Sequence, residues 1–215
     1  WDFHGVTVDV RPGVLCPRPE TETLVEMAVE ILRTGSLGAS PSVIDVGTGS
    51  GAVGLAVVAA VPGVTCVGVD IDPVATALAA ANADRLGLAD RFTVRTDGIT
   101  VFAEEHARRR LPTFDMLLSN PPYIPEGARG TLPAEVSQYE PDTALFGGAD
   151  GLQVVREIAD AVDLLVPPDA PVLVEVDVSH AGMAARLFAS PLRPTRVEAD
   201  LDGRPRFVVA GGASP

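Results

Sequence analysis

Residues 43–51 read Val-Ile-Asp-Val-Gly-Thr-Gly-Ser-Gly, and this stretch decides the fold of the chain. Its β-branched residues predict a short strand, and the Ala/Val/Leu-rich segment after Gly51 has helical character. Glycines between a strand and the first turn of a helix let a ligand approach the backbone, because they have no Cβ atom. The order strand, glycine turn, helix therefore predicts a nucleotide-type cradle.

A second apolar strand, Val67-Gly68-Val69, ends in the carboxylate of Asp70. An acidic residue roughly twenty positions after such a glycine turn is placed to accept hydrogen bonds from ribose hydroxyls. The two strands and the helix between them form one βαβ unit.

The glycine pattern leaves two cofactors open. Gly47, Gly49 and Ala52 satisfy the dinucleotide pattern G-x-G-x-x-G/A, so a nicotinamide dehydrogenase is an alternative. Asp45 lies just before these glycines, where a carboxylate would repel a pyrophosphate but suit a ligand that carries an ammonium and a sulfonium. S-adenosylmethionine is such a ligand. We favour it because a dehydrogenase gives no role to the segment described next.

The segment Asn120-Pro121-Pro122-Tyr123 follows an apolar run, residues 114–119, that predicts a buried strand. The Asn120 side-chain oxygen can accept a hydrogen bond, and the prolines leave nearby backbone carbonyls without a competing N–H group. Two such acceptors could hold an incoming NH2 group by its protons, while Tyr123 stacks on the planar group that carries it. The segment therefore predicts a site for an alkyl acceptor, such as an amide or ring-amino nitrogen.

The composition excludes several classes of protein. The chain has 215 residues, 47% of them apolar, and this length predicts a single domain. All 16 basic residues are arginine, and 29 acidic residues give a formal charge of −13. An acidic surface repels nucleic-acid phosphates, so nucleic acid is not the expected substrate. Cys16 and Cys66 show no metal spacing and the three histidines are isolated, so no metal site is expected.

The alternation of strand and helix patterns predicts an α/β fold with a doubly wound, mostly parallel sheet. A short N-terminal β segment, clearest at residues 6–10, precedes a helix that a capping box at Thr23 and Glu26 would start. Asp72-Pro73 and Gly87 predict the two ends of another helix. The remaining predicted strands are 92–95, 114–119 and 172–176, and the remaining predicted helices are 101–110 and 152–166.

The last two strand patterns, residues 195–200 and 206–210, are joined through Asp202-Gly203 and predict an antiparallel hairpin. A parallel sheet finished in this way is the architecture of class I S-adenosylmethionine-dependent methyltransferases. We divide the chain into an N-terminal β segment and linker, residues 1–19, and a methyltransferase domain, residues 20–215. Residues 121–134 form the longest predicted loop and a candidate mobile lid. No membrane-spanning or signal segment is apparent, so a cytoplasmic protein is expected.

Several segments match known motifs in combination. Residues 15–22 read Leu-Cys-Pro-Arg-Pro-Glu-Thr-Glu, and residues 139–152 contain Tyr-Glu-Pro, Ala-Leu and Gly-Gly-Ala-Asp-Gly-Leu. With residues 45–51 and 119–123, they resemble the L-I-P-R-P-E-T-E, Y-E-P…A-L…G-G-x-D-G-L, D-x-G-T-G-S-G and N-P-P-Y motifs of the HemK/PrmC family. These bacterial enzymes methylate the side-chain nitrogen of a glutamine in peptide chain release factors. N-P-P-Y alone is shared with adenine and cytosine amino-methyltransferases, whereas the combination is specific to this family.

The resemblance implies a role for each matching residue. It places S-adenosylmethionine, whose product is S-adenosylhomocysteine, on the glycine turn, with its ribose on Asp70 and its adenine near Asp97 and Gly98. The implied cofactor-binding residues are Asp45, Gly47, Thr48, Gly49, Ser50, Gly51, Asp70, Asp97, Gly98 and Asn120. The implied substrate-binding residues are Asn120, Pro121, Pro122 and Tyr123, among which Asn120, Pro121 and Tyr123 are the catalytic candidates.

Three features depart from the family pattern. Family members usually carry an N-terminal helical domain that helps to recognise the release factor, and this chain begins at what resembles the linker after it. Gly98 stands where a larger residue is common beside the adenine. Residues 174–180 differ from the usual E-I-G-x-x-Q-G continuation. Two alternatives remain: a nucleic-acid adenine or cytosine amino-methyltransferase, and a non-catalytic scaffold that keeps the fold.

Overall fold

The structure is a computed structural model that describes residues 1–133, 136 and 139–212. Its strands are β1 (Asp2–Phe3), β2 (Val6–Thr7), β3 (Ser42–Val46), β4 (Thr65–Asp70), β5 (Phe92–Thr96), β6 (Met116–Ser119), β7 (Val172–Glu175), β8 (Thr195–Ala199) and β9 (Pro205–Ala210). Its helices are α1 (Glu22–Arg33), α2 (Ala52–Ala60), α3 (Pro73–Leu86), α4 (Ile99–Arg108), α5 (Asp142–Leu145), α6 (Gln153–Leu165) and α7 (Ala181–Phe188). Short 3₁₀ turns cover Pro19–Thr21 and Glu126–Thr131.

Seven strands form one sheet in the order β5-β4-β3-β6-β7-β9-β8. The pairs from β5 to β7 are parallel, and β9 pairs antiparallel with both β7 and β8. The predicted fold class, a doubly wound and mostly parallel sheet that ends in an antiparallel hairpin, is confirmed. Among the described residues, no helix is both long and apolar enough to cross a membrane.

Helices cover both faces of the sheet, so its strands are apolar on both sides. In β6, Met116 and Leu118 pack in the core cluster that includes α1 and α2, whereas Leu117 packs in the cluster that includes α4 and α6. Neighbouring residues of one strand thus point into opposite cores. Asp70 ends β4 and Asn120 directly follows β6, so these polar side chains lie at the carboxyl edge of the parallel strands.

The predicted ends of α3 are confirmed. The Asp72 carboxylate accepts a hydrogen bond from the Val74 backbone N–H at 2.8 Å, which satisfies one free donor of the first turn. Gly87 ends the helix with φ 68°, a left-handed conformation that glycine adopts without steric cost.

The capping box predicted at Thr23 and Glu26 is wrong. Thr23 lies inside α1, which begins at Glu22, and the N-cap residue is Thr21. The Thr21 hydroxyl makes no cap hydrogen bond, because it faces the sheet and accepts a hydrogen bond from Asn120. A local capping pattern was thus overridden by a contact with a residue distant in sequence.

Other boundaries shifted, and two of the described helices were missed. The β segment predicted at residues 6–10 is only Val6–Thr7, paired with Asp2–Phe3, and the strand predicted from residue 114 begins at Met116. Neither α5 nor α7 was predicted, although Ala184 and Phe188 bury one face of α7. Of the predicted lid, residues 126–131 form a 3₁₀ turn, and Ala134 lies outside the described residues.

The N-terminal segment packs on the main core. Phe3, Val6 and Val8 belong to the same core cluster as α1 and α2. The fully buried Asn82 of α3 accepts from the Asp9 backbone N–H at 2.8 Å and donates to the carbonyls of Asp9 and Ser50 at 3.1 and 2.9 Å. The division proposed after residue 19 therefore separates segments that share one core.

Candidate active site

The glycine turn between β3 and α2 is built for a close approach to its backbone. Gly47, Gly49 and Gly51 have φ values of 72°, 56° and 84°. The amides of Gly47 and Thr48 both donate to the Val69 carbonyl of β4, at 2.8 and 3.1 Å. A Cβ atom on Gly51 would lie 3.0 Å from Leu55 Cδ1, so this position packs inward and does not face a ligand.

The buried side chain of Asp45 stabilises this turn from the core side. Its Oδ2 accepts from the Thr48 hydroxyl at 2.6 Å and from the Gly54 amide at 3.1 Å, and the residue is 1% exposed. Burial raises the pKa of this carboxyl to about 6, against the opposing effect of those two hydrogen bonds. Asp45 was predicted to contact the cofactor, but its carboxylate points into the core and shapes the turn instead.

Asp70 ends β4 beside the turn. Its Oδ2 accepts from the Gly49 amide and its Oδ1 from the Asp72 amide, each at 2.9 Å. A carboxylate oxygen can accept more than one hydrogen bond, so both oxygens keep capacity for a diol. Burial raises the pKa of Asp70, although the two amides act in the opposite direction. Asp70 thus lies where the sequence pattern placed it, at the end of β4 and in contact with the glycine turn.

A cavity of about 190 Å³ opens above these groups at the carboxyl end of the sheet. The predicted cofactor residues among its lining are Gly47, Thr48, Gly49, Ser50, Asp70, Asp97, Gly98 and Asn120. Asp45 and Gly51 are absent from the described lining, in agreement with their inward packing. The Thr48 hydroxyl is bound to Asp45, so this residue offers its backbone to the cavity.

The far end of the cavity lies between β4 and α4. Asp97 is held by Arg95, whose Nη2 lies 2.8 Å from the Asp97 carboxylate. A Cβ atom on Gly98 would meet only Ile71 Cδ1, at 4.0 Å, so a larger residue would fit there. Ile71, which was not among the predicted site residues, lines the cavity and is 66% exposed. An apolar residue directly after the acidic strand end was the available signal for an apolar wall.

A second cavity, of about 160 Å³, adjoins the first. The two share four lining residues, Leu15, Asn120, Pro122 and Ala144. Pro121 and Tyr123 line only the second, together with Arg18 and apolar side chains such as Leu132 and Leu145. Asn120 thus stands in a wall between two spaces, one beside the glycine turn and one beside Tyr123.

The side chain of Asn120 is oriented by Thr21. Asn120 Nδ2 donates to the Thr21 hydroxyl oxygen at 2.9 Å, across 99 positions of sequence. Within the part of the chain that the structure describes, Asn120 Oδ1 accepts no hydrogen bond. With its nitrogen occupied, the carboxamide leaves its oxygen available as an acceptor.

Residues of the 139–152 region hold the Asn-Pro-Pro-Tyr segment in place through backbone hydrogen bonds and close backbone contacts. The Ile124 amide donates to the Leu145 carbonyl and the Gly147 amide to the Ile124 carbonyl, each at 3.0 Å. Cβ atoms on Gly147 and Gly151 would lie 2.4 and 2.3 Å from the carbonyl oxygens of Pro122 and Tyr123. These glycines are therefore required for the two backbones to approach.

Arg18 belongs to the motif of residues 15–22 and binds a residue of the 139–152 region. Its Nη2 lies 2.7 and 2.6 Å from the two carboxylate oxygens of Glu140, whose side chain is 9% exposed. The pairing with a nearby acid that the sequence allowed for Arg18 is therefore present. Because its charge is matched, Arg18 adds no free cation to the wall of the second cavity.

Comparisons with known proteins agree with this geometry. The family described as "Methyltransferase small domain" matches residues 7–134. The release factor glutamine methyltransferase of Bradyrhizobium diazoefficiens is 37% identical over 218 residues, which cover 100% of this chain and 70% of the relative. The chain belongs to the release factor glutamine methyltransferase family.

Two further members of the release factor glutamine methyltransferase family illustrate the range of the match. The enzyme from Gloeobacter violaceus is 43% identical over 168 residues, 77% of this chain and 55% of the relative. The crystal structure of the release factor-specific protein-(glutamine-N5) methyltransferase from Alicyclobacillus acidocaldarius is 30% identical. It has a TM-score of 0.57 and matches 95% of this chain and 99% of that one. The chain thus spans little more than half of the Gloeobacter relative and most of the solved one.

Membership of the release factor glutamine methyltransferase family decides against the dehydrogenase alternative. The Asp45 carboxylate does not exclude a dinucleotide, because it faces away from the cavity and cannot repel a pyrophosphate there. Among the described residues, no group of three or more His, Cys, Asp or Glu side chains could hold a metal ion.

Replacing Gly151 by alanine is expected to destabilise this family member by roughly 2–4 kcal/mol, through steric overlap and a strained backbone. Its φ is +76°, and the new Cβ would lie 2.3 Å from the Tyr123 carbonyl oxygen and 2.8 Å from His180 Cε1. Denaturant unfolding measures the loss. The matched control is Gly127→Ala, where no heavy atom lies within 4 Å of the added Cβ. Equal unfolding midpoints for the two variants would contradict the tight packing behind Tyr123.

Proposed function

We propose that this chain transfers a methyl group from S-adenosylmethionine to the side-chain amide nitrogen of a protein glutamine. The observation that carries this proposal is the position of Asn120 between two cavities, with Nδ2 bound to Thr21 and Oδ1 free. A residue so placed can hold an acceptor in one cavity and face a donor in the other.

The first cavity fits the donor. Glycine backbone at residues 47 and 49 permits close contact, Asp70 offers oxygens for the ribose hydroxyls, and Ile71 and Gly98 leave space for a flat ring. When bound, S-adenosylmethionine supplies a methyl group on a positively charged sulfur, which is already a strong electrophile. The chain's own contribution is therefore to bind the cofactor and to orient its methyl group towards the acceptor nitrogen.

The second cavity fits the acceptor. An amide nitrogen is a poor nucleophile because its lone pair is delocalised into the carbonyl. Asn120 Oδ1 and a proline carbonyl would each accept one of its N–H groups, which orients the lone pair and disfavours the planar amide. Tyr123 would stack on the amide plane. Correct placement of two reactants can lower a barrier by roughly 7–11 kcal/mol.

The names of the relatives support the substrate: they are release factor glutamine methyltransferases. We propose that the acceptor is the glutamine of the Gly-Gly-Gln motif of a peptide chain release factor. That substrate would place the chain in translation termination and in the cytoplasm. Against a nucleic-acid acceptor, the only basic side chain among the described residues of the second cavity is Arg18, which Glu140 neutralises.

Mass spectrometry of purified release factor, incubated with this chain and S-adenosylmethionine, tests the proposal. We expect a mass gain of one methyl group, located on the Gly-Gly-Gln glutamine by peptide fragmentation. The matched control is the same release factor with that glutamine replaced by asparagine, which should stay unmodified. Methylation of a tRNA or DNA oligomer with none on the release factor would overturn the proposal in favour of the nucleic-acid alternative.

A further inference from the structure

Glu175 is a buried carboxyl group that the proposed reaction does not yet use. It ends β7, which pairs with β6, the strand that directly precedes Asn120, and it is 1% exposed. Neither of its carboxyl oxygens has a hydrogen-bond partner among the described residues. Buried polar groups without partners are rare, and each needs a physical explanation.

The charged neighbours of Glu175 do not neutralise it fully. Arg206 of β9 is 3.9 Å away, and it also binds Asp200 at 3.2 Å. Glu20, from the turn before α1, adds a repulsive charge. Burial is the largest effect and raises the pKa of Glu175 to about 7, so the group changes its protonation near neutral pH.

Two hydroxyls adjoin this carboxyl group. Those of Thr21 and Tyr123 lie close enough to lower its pKa in part, although neither meets hydrogen-bond geometry with it. Both belong to the substrate side of the site: Thr21 holds Asn120, and Tyr123 lines the second cavity. A small rotation of either hydroxyl-bearing side chain would supply the donor that Glu175 lacks.

We infer that Glu175 is a positioning residue, whose carboxylate form fixes the Thr21 hydroxyl and thereby holds Asn120 with Oδ1 towards the acceptor. This inference rests on the proposed function, which it deepens. Glu175 itself lines neither cavity among the described residues, so it acts through Thr21 and Tyr123.

The Thr21 hydroxyl has a single proton to donate. An ionised Glu175 only accepts, so Thr21 donates its proton to Glu175 and can offer Asn120 nothing but a lone pair. Asn120 must then turn Nδ2 to Thr21 and Oδ1 to the acceptor, as observed. A protonated Glu175 can donate to Thr21 instead. Thr21 is then free to donate to Asn120 Oδ1, which permits the flipped carboxamide and presents NH2 to the acceptor.

The test compares Glu175→Gln with the unchanged chain between about pH 5.5 and 9, with release factor as the acceptor. We expect kcat of the unchanged chain to fall as pH is lowered through about 7. Glu175→Gln should show a roughly tenfold lower kcat at high pH and no inflection, because a side-chain amide can either donate to Thr21 or accept from it. Its affinity for S-adenosylmethionine should stay within about twofold, since the first cavity is unchanged. Glu104→Gln, an exposed site on α4, is the control and should behave as the unchanged chain.

Unfolding by urea gives a readout that does not depend on activity. The pKa of Glu175 in the folded chain, about 7, lies above its ordinary value of 4.5, so the folded state holds the proton more tightly. Its contribution to stability is therefore present below about pH 4.5 and lost as pH rises through about 7. Glu175→Gln should gain stability relative to the unchanged chain from pH 5 to pH 8. Asp45 titrates in both and cancels in the difference.

The outcomes separate this inference from the proposed function. If the unchanged chain methylates the release factor and Glu175→Gln keeps the same kcat and pH profile, the inference is overturned. A stability difference that does not vary with pH overturns it as well. If the unchanged chain methylates nothing, the proposed function fails first. Should Glu175→Gln not fold, Thr21→Val must lose activity and the pH inflection while Thr21→Ser retains both; the opposite result rejects the inference.

Discussion

Asn120→Ala is expected to lower the rate of methyl transfer by roughly 10²–10³-fold, the loss typical of removing one polarising group from an active site. The variant removes the free Oδ1 acceptor and leaves the Thr21 hydroxyl without its Nδ2 donor. Affinity for S-adenosylmethionine should change little, because the glycine turn and Asp70 hold their own hydrogen bonds. Single-turnover transfer to release factor and calorimetric titration with the cofactor measure the two effects separately.

The matched control for Asn120 is the aspartate variant. Asn120→Asp keeps an oxygen acceptor of the same shape but loses the N–H donor to Thr21, so it should retain more activity than alanine and less than asparagine. Unchanged turnover in Asn120→Ala would remove this residue from the mechanism. A loss of cofactor affinity equal to the loss of rate would assign it to binding instead.

Asp70→Ala should weaken the binding of S-adenosylmethionine by roughly 10²-fold, because hydrogen bonds to a charged group contribute about 1.5–3 kcal/mol. The carboxylate faces the first cavity while it accepts from the amides of Gly49 and Asp72, so its loss also loosens the glycine turn. Calorimetry measures the affinity, and saturating cofactor should restore most of the rate.

Asp115→Ala is the control for Asp70→Ala. Asp115 also accepts hydrogen bonds from the chain, at 2.7 and 3.0 Å from the backbone N–H and the hydroxyl of Ser42. It does not line either cavity among the described residues. Its loss should therefore reduce stability without reducing cofactor affinity. If both variants bind the cofactor equally well, Asp70 has no role in holding it.

The segments that the structure brings together at one edge of the sheet are those whose placement depends on local sequence. A glycine turn after a β-branched strand, and a proline-rich segment after another, place their residues at the carboxyl edge of a parallel sheet whatever the rest of the chain does. The ends of α3 followed in the same way, since Asp72 and Gly87 act within one turn of backbone.

The parts that could not be predicted depend on contacts between distant residues. Thr21 and Asn120 are 99 positions apart, and no local pattern joins them. The direction in which the Asp45 side chain points could not be predicted either. Strand β3 is buried on both faces, so its residue pattern does not show which face is nearer the ligand. The inward direction becomes visible only in the structure, where the Gly54 amide donates to Asp45 Oδ2 at 3.1 Å.

Asn82 connects three parts of the chain through one carboxamide, with hydrogen bonds to residue 9 and to the carbonyl of Ser50 in the glycine turn. A random mutagenesis screen for lost activity should therefore recover Asn82 changes alongside those at the reactive positions, although this side chain touches neither ligand. Such clones would be distinguished by poor yield and heat sensitivity, and lower growth temperature would rescue them. Defects at Asn120 would persist at every temperature.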